Sequence, residues 1–529
     1  MLAAVFALLY LLLALAFFER RRFRAATLIG ALLFYTLSVL TKESGISAPA
    51  MAFLLFVYAA EGGVAERLRR AFARGLPVFL GSAAVLAGVF FLRRSVLGGF
   101  LKSPGAGVFE VENALAPVGA STRAVNACVI LFRYLGRFVF PLHLSADESA
   151  WSIEVVPAAS AVAIAALTIL AAITAAALWR LRARSPAALG FLFFCLALLP
   201  ASNLVFAIGT IFAERLAYLP SAGLCLAAGA LFAGGAGTLA ELAPSRRRIL
   251  VAAALLLSAR AVVRNAVWWN DEGLFLNLVR TAPESAKAHY DIAYVWAGAR
   301  QYERARDQYE EATDIYEDYW DAWAGKGRME KELGLYDEAE ESYKKAIASN
   351  TDYENGYFGL GLVREARGDL PGAEEIYRKG LAQKKDSLPL AYRLALARSR
   401  LGWPEALPDW KKAVEVGPET PSVHADFAAW LARAGKWEEA AKEARQALRF
   451  DPGYQQALRL LAERDALSGR SFAEALAREK IYRLSRSRED WELLLRASEK
   501  SEPYARRFRH LKGSLATLAS PKSRVQSPK

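Results

Sequence analysis

Cysteine and histidine are scarce, three and four in 529 residues. Cys128, Cys195 and Cys225 lie in or beside apolar segments, with no spacing that suits a metal or a thiol–disulfide pair, so they read as small packing residues. His143, His289, His424 and His510 are scattered and build no zinc motif. A basic leader is also missing: Met1 runs straight into Leu-Ala-Ala-Val-Phe-Ala-Leu-Leu-Tyr, which reads as a membrane span over 1–18 rather than a cleavable signal. Acidic residues are few in the first half, where residues 1–264 hold 24 Lys/Arg against 11 Asp/Glu, whereas residues 265–529 hold 43 of each sign. The whole formal charge of +13 therefore belongs to the apolar half. Basic residues beside apolar segments report membrane orientation, and a nucleic-acid binder would need them as a face on its soluble part, so that class is excluded.

What is present falls into two halves. Residues 1–264 form a polytopic membrane domain with apolar segments at 1–18, 25–41, 46–60, 75–92, 155–179, 187–207, 216–236 and 249–263. Basic clusters at Arg20–Arg24, Arg67–Arg74, Arg180–Arg184 and Arg246–Arg248 all reach the cytoplasm along one alternating path, provided that 93–154 stays outside. That path requires the helix near 124–138, with Arg133 and Arg137 one turn apart, to lie along the outer surface; a ninth span is the alternative. Both the repeat half and the first residue then lie on the extracytoplasmic side, and the expectation is that upstream spans are missing from this sequence.

Polar residues at the outer ends of the spans are the functional candidates. They are Lys42-Glu43-Ser44 ahead of Gly45 and Pro49, Ser202-Asn203, Glu214-Arg215, and His143, Asp147 and Glu148 after the surface helix. Ionisable groups beside spans are costly unless paired, hydrated or used on a ligand. One reading makes Lys42/Glu43 and Glu214/Arg215 ion pairs or wet interface groups. The other makes a polar cavity where Lys42 or Arg215 holds a phosphate and Glu43 or Glu214 acts as base.

The second half is periodic. Ala305, Ala339, Ala373, Ala406 and Ala440 are 34, 34, 33 and 34 residues apart, and Gly334, Gly368, Gly402 and Gly435 mark turns between paired helices. This is the helix–turn–helix period of tetratricopeptide repeats. After a connector at 265–285, five repeats are assigned to 286–319, 320–353, 354–386, 387–419 and 420–453, followed by degenerate or capping helices at 454–500 and a basic tail, read as disordered, at 501–529. Tyr294, Trp296, Tyr357 and Trp430 recur near positions where an aromatic fills the superhelix or lines a groove for an acceptor or partner.

Four segments together resemble one family: Leu-Ser-Val-Leu-Thr-Lys-Glu-Ser-Gly-Ile-Ser-Ala-Pro at 37–49, Arg-Tyr-Leu-Gly-Arg-Phe-Val-Phe-Pro-Leu-His-Leu-Ser-Ala-Asp at 133–147, Phe-Ala-Glu-Arg-Leu-Ala-Tyr-Leu-Pro-Ser-Ala-Gly at 212–223, and Arg-Asn-Ala-Val-Trp-Trp-Asn-Asp-Glu at 264–272. The chain looks like a bacterial version of the transmembrane and tetratricopeptide repeat-containing O-mannosyltransferases. The resemblance implies an all-α protein, a glycosyltransferase domain of C type followed by a repeat superhelix, in the bacterial inner membrane. It implies transfer of mannose or a similar sugar from a polyprenyl-phosphate carrier to a hydroxyl of an exported protein presented by the repeats. Glu43 and Glu214 match acidic positions of the family motifs, and Lys42 and Arg215 are the phosphate candidates. No metal ligand and no cofactor is assigned, since members of this fold differ in metal dependence. The family's acidic motif in the first luminal loop has no counterpart here, which leaves a remnant, or a non-catalytic membrane-anchored scaffold for an envelope assembly, as the alternative.

Overall fold

The computed structural model describes residues 2–19, 25–97, 110–141, 144–149, 152–204, 207–234, 241–506 and 508–509. Among these residues the regular structure is all helical apart from one antiparallel bridge between Glu148 and Phe212. It forms two compact units, Met1–Leu333 and Gly334–Lys529.

The first unit begins with apolar helices α1 (Leu2–Glu19), α2 (Ala25–Thr41), α3 (Ala48–Ala59) and α4 (Val64–Leu97). After α5 (Ala120–Val139) come α6 (Ala161–Leu181), α7 (Pro186–Leu198), α8 (Tyr218–Ala233) and α9 (Pro244–Val267). Among the described residues, five of the apolar helices are long enough to cross a membrane, and the apolar helices over 25–41, 44–59 and 186–201 are shorter. The chain is a membrane protein with an extramembrane repeat region: α6 and α9 leave Leu167, Leu178, Leu255, Leu256 and Val263 at least half exposed, a surface suited to lipid and not to water.

The helices α1–α4, α6 and α7 share one core around Tyr10, Tyr35, Met51 and Phe56. The tightest crossing joins α7 to α8. A Cβ on Gly190 would stand 2.4 Å from the Gly223 carbonyl oxygen, and one on Gly223 would stand 2.4 Å from that of Gly190, so only glycine lets these backbones approach so closely. Basic residues cap helix ends at one end of the bundle. Arg67, almost fully buried, donates to the carbonyls of Leu181 (3.3 Å) and Arg182 (3.0 Å), Arg184 donates to Ala60 (2.6 Å), and Arg246 donates to Phe232 (3.2 Å). At the opposite end, the 43–47 turn packs on the 199–201 turn and the loops form a second core around Tyr134, Ile211 and Phe212.

The same unit continues through α10 (Asp271–Thr281), α11 (Ala286–Gly298), α12 (Tyr302–Ile315) and α13 (Trp320–Glu332). Val111 inserts among Ala286, Ile292 and Tyr309 of these helices, so the loop layer and the first repeat share a core.

The second unit opens with the helix 336–349, continues in the pairs 354–366 with 370–383, 388–401 with 406–416, 421–433 with 437–450, and 455–467 with 471–485, and adds a helix at 488–499. Ala339, Ala373, Ala406 and Ala440 are fully buried where helices meet. Gly334, Gly368, Gly402 and Gly435 have φ of +80, +81, +72 and +77°, the left-handed cap that ends a helix. The same turn returns at Gly469 (φ +68°), so helix–turn–helix geometry extends through 455–485, within the stretch read from sequence as degenerate or capping. Most of the 501–529 tail lies outside the described residues.

Candidate functional site

The loop layer has almost no regular structure, so side chains must satisfy its backbone. Asn113 donates to Asn203 Oδ1 (2.8 Å) and the Ile208 carbonyl (2.7 Å), while its own Oδ1 accepts from Leu115 N–H (2.9 Å). Asn203, in left-handed conformation at φ +61°, donates to the carbonyls of Thr210 and Ile211 and accepts from Ile208 N–H. Asn126 on α5 makes paired bonds with the backbone of Val156, at 2.8 and 2.9 Å.

Three carboxylates, each paired with arginine, are pinned onto this frame. Buried Glu148 accepts from Arg133 Nη1 and Arg137 Nη2, each at 3.0 Å, one oxygen to each arginine. Burial pushes its carboxyl above the ordinary value, against the pull of Arg137 and Arg133. Asp147 accepts from Thr210 Oγ1 and from Arg215 Nη2 (3.3 Å), and Arg215 also donates to the Ala146 carbonyl. Glu214 takes two bonds from Arg264 of α9, at 3.0 and 3.4 Å, and Arg264 donates in addition to Asn277 Oδ1 (2.6 Å) on α10.

Between these pairs and the bundle lies a cavity of about 160 Å³. Tyr134, Arg137, Glu214 and Ser221 supply its polar groups, and Phe138, Phe194, Phe212 and Leu224 are among its apolar walls. An amphipathic pocket of this kind accepts a ligand with an apolar body and a polar or anionic head. Helix α11, next to the layer, carries a lysine among acids. Lys287 pairs with Asp291 at 2.7 Å, and Asp147 and Glu112 act on it electrostatically. Burial pulls Lys287 down, but Asp291, Asp147 and Glu112 together outweigh it and the ammonium ends above its ordinary value. Burial also raises Asp291 and Glu112. Ser149 and Ser285 are hydrogen-bonded at 2.5 Å, tying the layer to the start of α11. Among the described residues no three His, Cys, Asp or Glu side chains form a group able to hold a metal.

The structure brings some of the sequence candidates together and leaves others apart. Glu214 lines the cavity, and Arg215 and Asp147 face each other beside it. Lys42 is exposed just before the 43–47 turn, and the Glu43 side chain and His143 lie outside the described residues. Trp296 is buried, donates from Nε1 to Glu272 (2.9 Å) and stacks under Arg304 (4.0 Å); Tyr357 sits in the core of the second unit. Trp430 packs beside Phe427, and Tyr294 is well exposed. Arg137 on the cavity wall and Arg264, which pairs with cavity-lining Glu214, are the groups that sequence reasoning missed. Arg137 stood out in the sequence only as half of an amphipathic pair, and Arg264 only as the first residue of a motif.

The tetratricopeptide repeat family matches residues 272–319, 290–354 and 324–387. Protein O-mannosyl-transferase TMTC1 of Mus musculus is 33% identical over 105 residues, 20% of this chain and 11% of that protein. TMTC4 of the same species is 32% identical over 107 residues, 20% of this chain and 14% of its own length. This chain is a distant homologue of these proteins. The match spans little more than a tenth of the length of either relative. Among solved structures, YrrB, described as a TPR protein with an unusual peptide-binding site, has TM-score 0.29 at 18% identity, covering 35% of this chain and 96% of its own. PilF of Pseudomonas aeruginosa has TM-score 0.35 at 16% identity, covering 40% and 96%.

Proposed function

We propose that this chain serves a membrane glycosyltransferase reaction, moving mannose or a similar sugar from a polyprenyl-phosphate carrier to a hydroxyl of an extracytoplasmic protein. The observation that carries the reading is the cavity lined by Glu214 and Arg137 at the loop end of an apolar bundle, in a distant homologue of O-mannosyl-transferases. In such a reaction the acceptor oxygen bonds to the sugar's anomeric carbon, the bond from that carbon to the phosphate oxygen breaks, and the hydroxyl proton passes to a carboxylate. Glu214 is the candidate base, with Glu43 as the second acidic candidate. Arg137 adds a cation on the cavity wall to the phosphate candidates Arg215 and Lys42. Asp147 holds Arg215, and the neighbouring His143 is a further candidate in the same loop. The repeats would present the acceptor, with exposed Tyr294 and half-buried Trp430 the more accessible of the four aromatic candidates. The gathering of Arg67, Arg184 and Arg246 at the opposite end supports a path in which the loops and repeats are extracytoplasmic and the membrane is the bacterial inner membrane.

A second reading, a non-catalytic membrane-anchored scaffold, is favoured by the engagement of both motif residues in ion pairs, Glu214 with Arg264 and Arg215 with Asp147. The two readings separate in a transfer assay using the full chain in membranes, polyprenyl-phosphate mannose and a panel of exported proteins. Transfer that is lost in Glu214→Gln supports the enzyme. Absence of transfer by folded protein across the donor and acceptor classes supports the scaffold.

A further inference from the structure

Glu214 links the cavity to an arginine that is not among its lining residues. Its side chain is on the cavity wall, and Arg264 of α9 holds its carboxylate with two bonds at 3.0 and 3.4 Å. Two further arginines act on it through space: Arg137 of α5, on the cavity wall, and Arg260 of α9, which donates to the Pro141 carbonyl at 3.3 Å. Arg137 is already shared, since it and Arg133 each give one bond to Glu148. Arg133, Arg137 and Arg264 thus face two carboxylates, Glu148 and Glu214. The other polar wall groups are engaged with backbone, Tyr134 with the N–H and carbonyl of Ala213 and Ser221 with the Tyr218 carbonyl. An anion entering the cavity therefore meets one cation on the wall, Arg137, and one like charge, Glu214.

The two partners of the ion pair are not equally fixed. The Arg264 side chain is 9% exposed and also donates to Asn277 Oδ1 on α10 at 2.6 Å, so it keeps its aim without Glu214. The Glu214 side chain is 21% exposed and sits on a single 3-10 turn, Glu214–Ala217, just ahead of α8. Glu214 is the side that can move. Turning it away alone would strand the Arg264 charge in a buried site, which is strongly unfavourable unless another anion takes its place. A phosphate suits that place, because its oxygens accept from guanidinium groups on different sides at once.

We propose, resting on the glycosyl-transfer reading of this cavity, that Glu214 is the resting occupant of an anion seat formed by Arg137 and Arg264, and that the phosphate of the polyprenyl carrier displaces it. Donor binding then fills the seat and, in the same step, releases the carboxylate that takes the acceptor hydroxyl proton. Until a donor arrives the base is held in its ion pair. The pairing of Glu214 with Arg264 is on this account the resting state of an enzyme and not the mark of a scaffold.

The test titrates the full chain in a mild detergent with undecaprenyl phosphate and, separately, with undecaprenol, counts bound lipid by native mass spectrometry, and reads the ratio of the two affinities. Wild type should favour the phosphate. Glu214→Gln keeps the size of the side chain and removes the competing charge, so the ratio should rise about tenfold in a variant that has lost transfer. Arg137→Gln should lower the ratio about tenfold, and Arg137→Lys should restore much of it. The alcohol reports the apolar walls alone, so a change in folding moves both lipids and leaves the ratio. A ratio that stays level or falls in Glu214→Gln, while wild type still favours the phosphate, overturns the displacement and leaves the transfer reading standing. No preference for the phosphate in wild type overturns both.

Discussion

Arg264 and Glu214 are 50 residues apart in sequence and joined by two hydrogen bonds at 3.0 and 3.4 Å, with Arg264 less than a tenth exposed. The pair links α9 to the turn ahead of α8 beside the cavity, and through Asn277 it also reaches α10 in the connector ahead of the repeats. A buried ion pair adds little net stability over an apolar replacement, but removing one partner strands the other.

Arg264→Met is therefore expected to destabilise the first unit by about 3 kcal/mol, because half-buried Glu214 loses its main partner and must hold an uncompensated charge or take up a proton. The double variant Arg264→Met, Glu214→Leu should recover much of that loss. Thermal unfolding of the full chain in micelles checks both, and a double variant as unstable as the single would refute the pairing argument.

Gly190 and Gly223 should tolerate no side chain. Even Gly190→Ala places a carbon 2.4 Å from the Gly223 carbonyl oxygen and 2.6 Å from Ala227 N, backbone atoms that cannot swing away. The expected cost is at least about 1–3 kcal/mol from overpacking. Size-exclusion profiles of membrane extracts should show aggregated or absent protein for Gly223→Val, whereas Gly229→Ala, which meets nothing within 4 Å, should run like wild type.

Asn113 replaces a missing sheet ladder. Asn113→Ala frees the Ile208 carbonyl and Leu115 N–H in a buried site, at about 2–3 kcal/mol. Hydrogen exchange should quicken across 203–212 and stay unchanged in the helix pairs of the second unit. Uniform protection in the variant would mean that the loop is held by something else.

His424 gives the second unit a pH dependence. Its Nε2 faces the Pro418 carbonyl at 2.9 Å and its Nδ1 faces Glu443 at 2.7 Å. The Glu443 hydrogen bond raises its pKa above the ordinary value, against burial, so the protonated form is the one the fold prefers. The stabilisation is complete below about pH 6.5, the ordinary histidine value, and is lost as pH rises through the higher folded value. Hydrogen exchange over 421–450 measured from pH 5 to 9 and corrected for intrinsic rates should show this loss in wild type and not in His424→Gln. Parallel profiles for the two proteins would rule it out.

Much of the architecture was legible in the sequence because helices and repeats are written in local spacing. The alanines 33 or 34 residues apart are buried at helix contacts, the glycines named as turns adopt positive φ, and each apolar stretch carries a helix, although 155–160 and 202–204, included in two of them, are loop. The groove candidates were harder. Trp296 and Tyr357 share the repeat's spacing with exposed residues, yet they fill cores, since a periodic position fixes a helix face and leaves its neighbour undetermined. Lys42 and Glu214 looked alike as charges beside apolar segments, but only Glu214 lines the cavity.

The sequence by itself determined an all-helical chain with an apolar, basic first half and a periodic second half, because composition and period act within a few turns of helix. Only the tertiary structure decided which charge meets which. The partners Arg264 and Glu214, Arg215 and Asp147, and Asn113 and Asn203 lie 50, 68 and 90 residues apart. A bond at 3 Å depends on how the intervening helices close, and no local pattern in the chain encodes that distance.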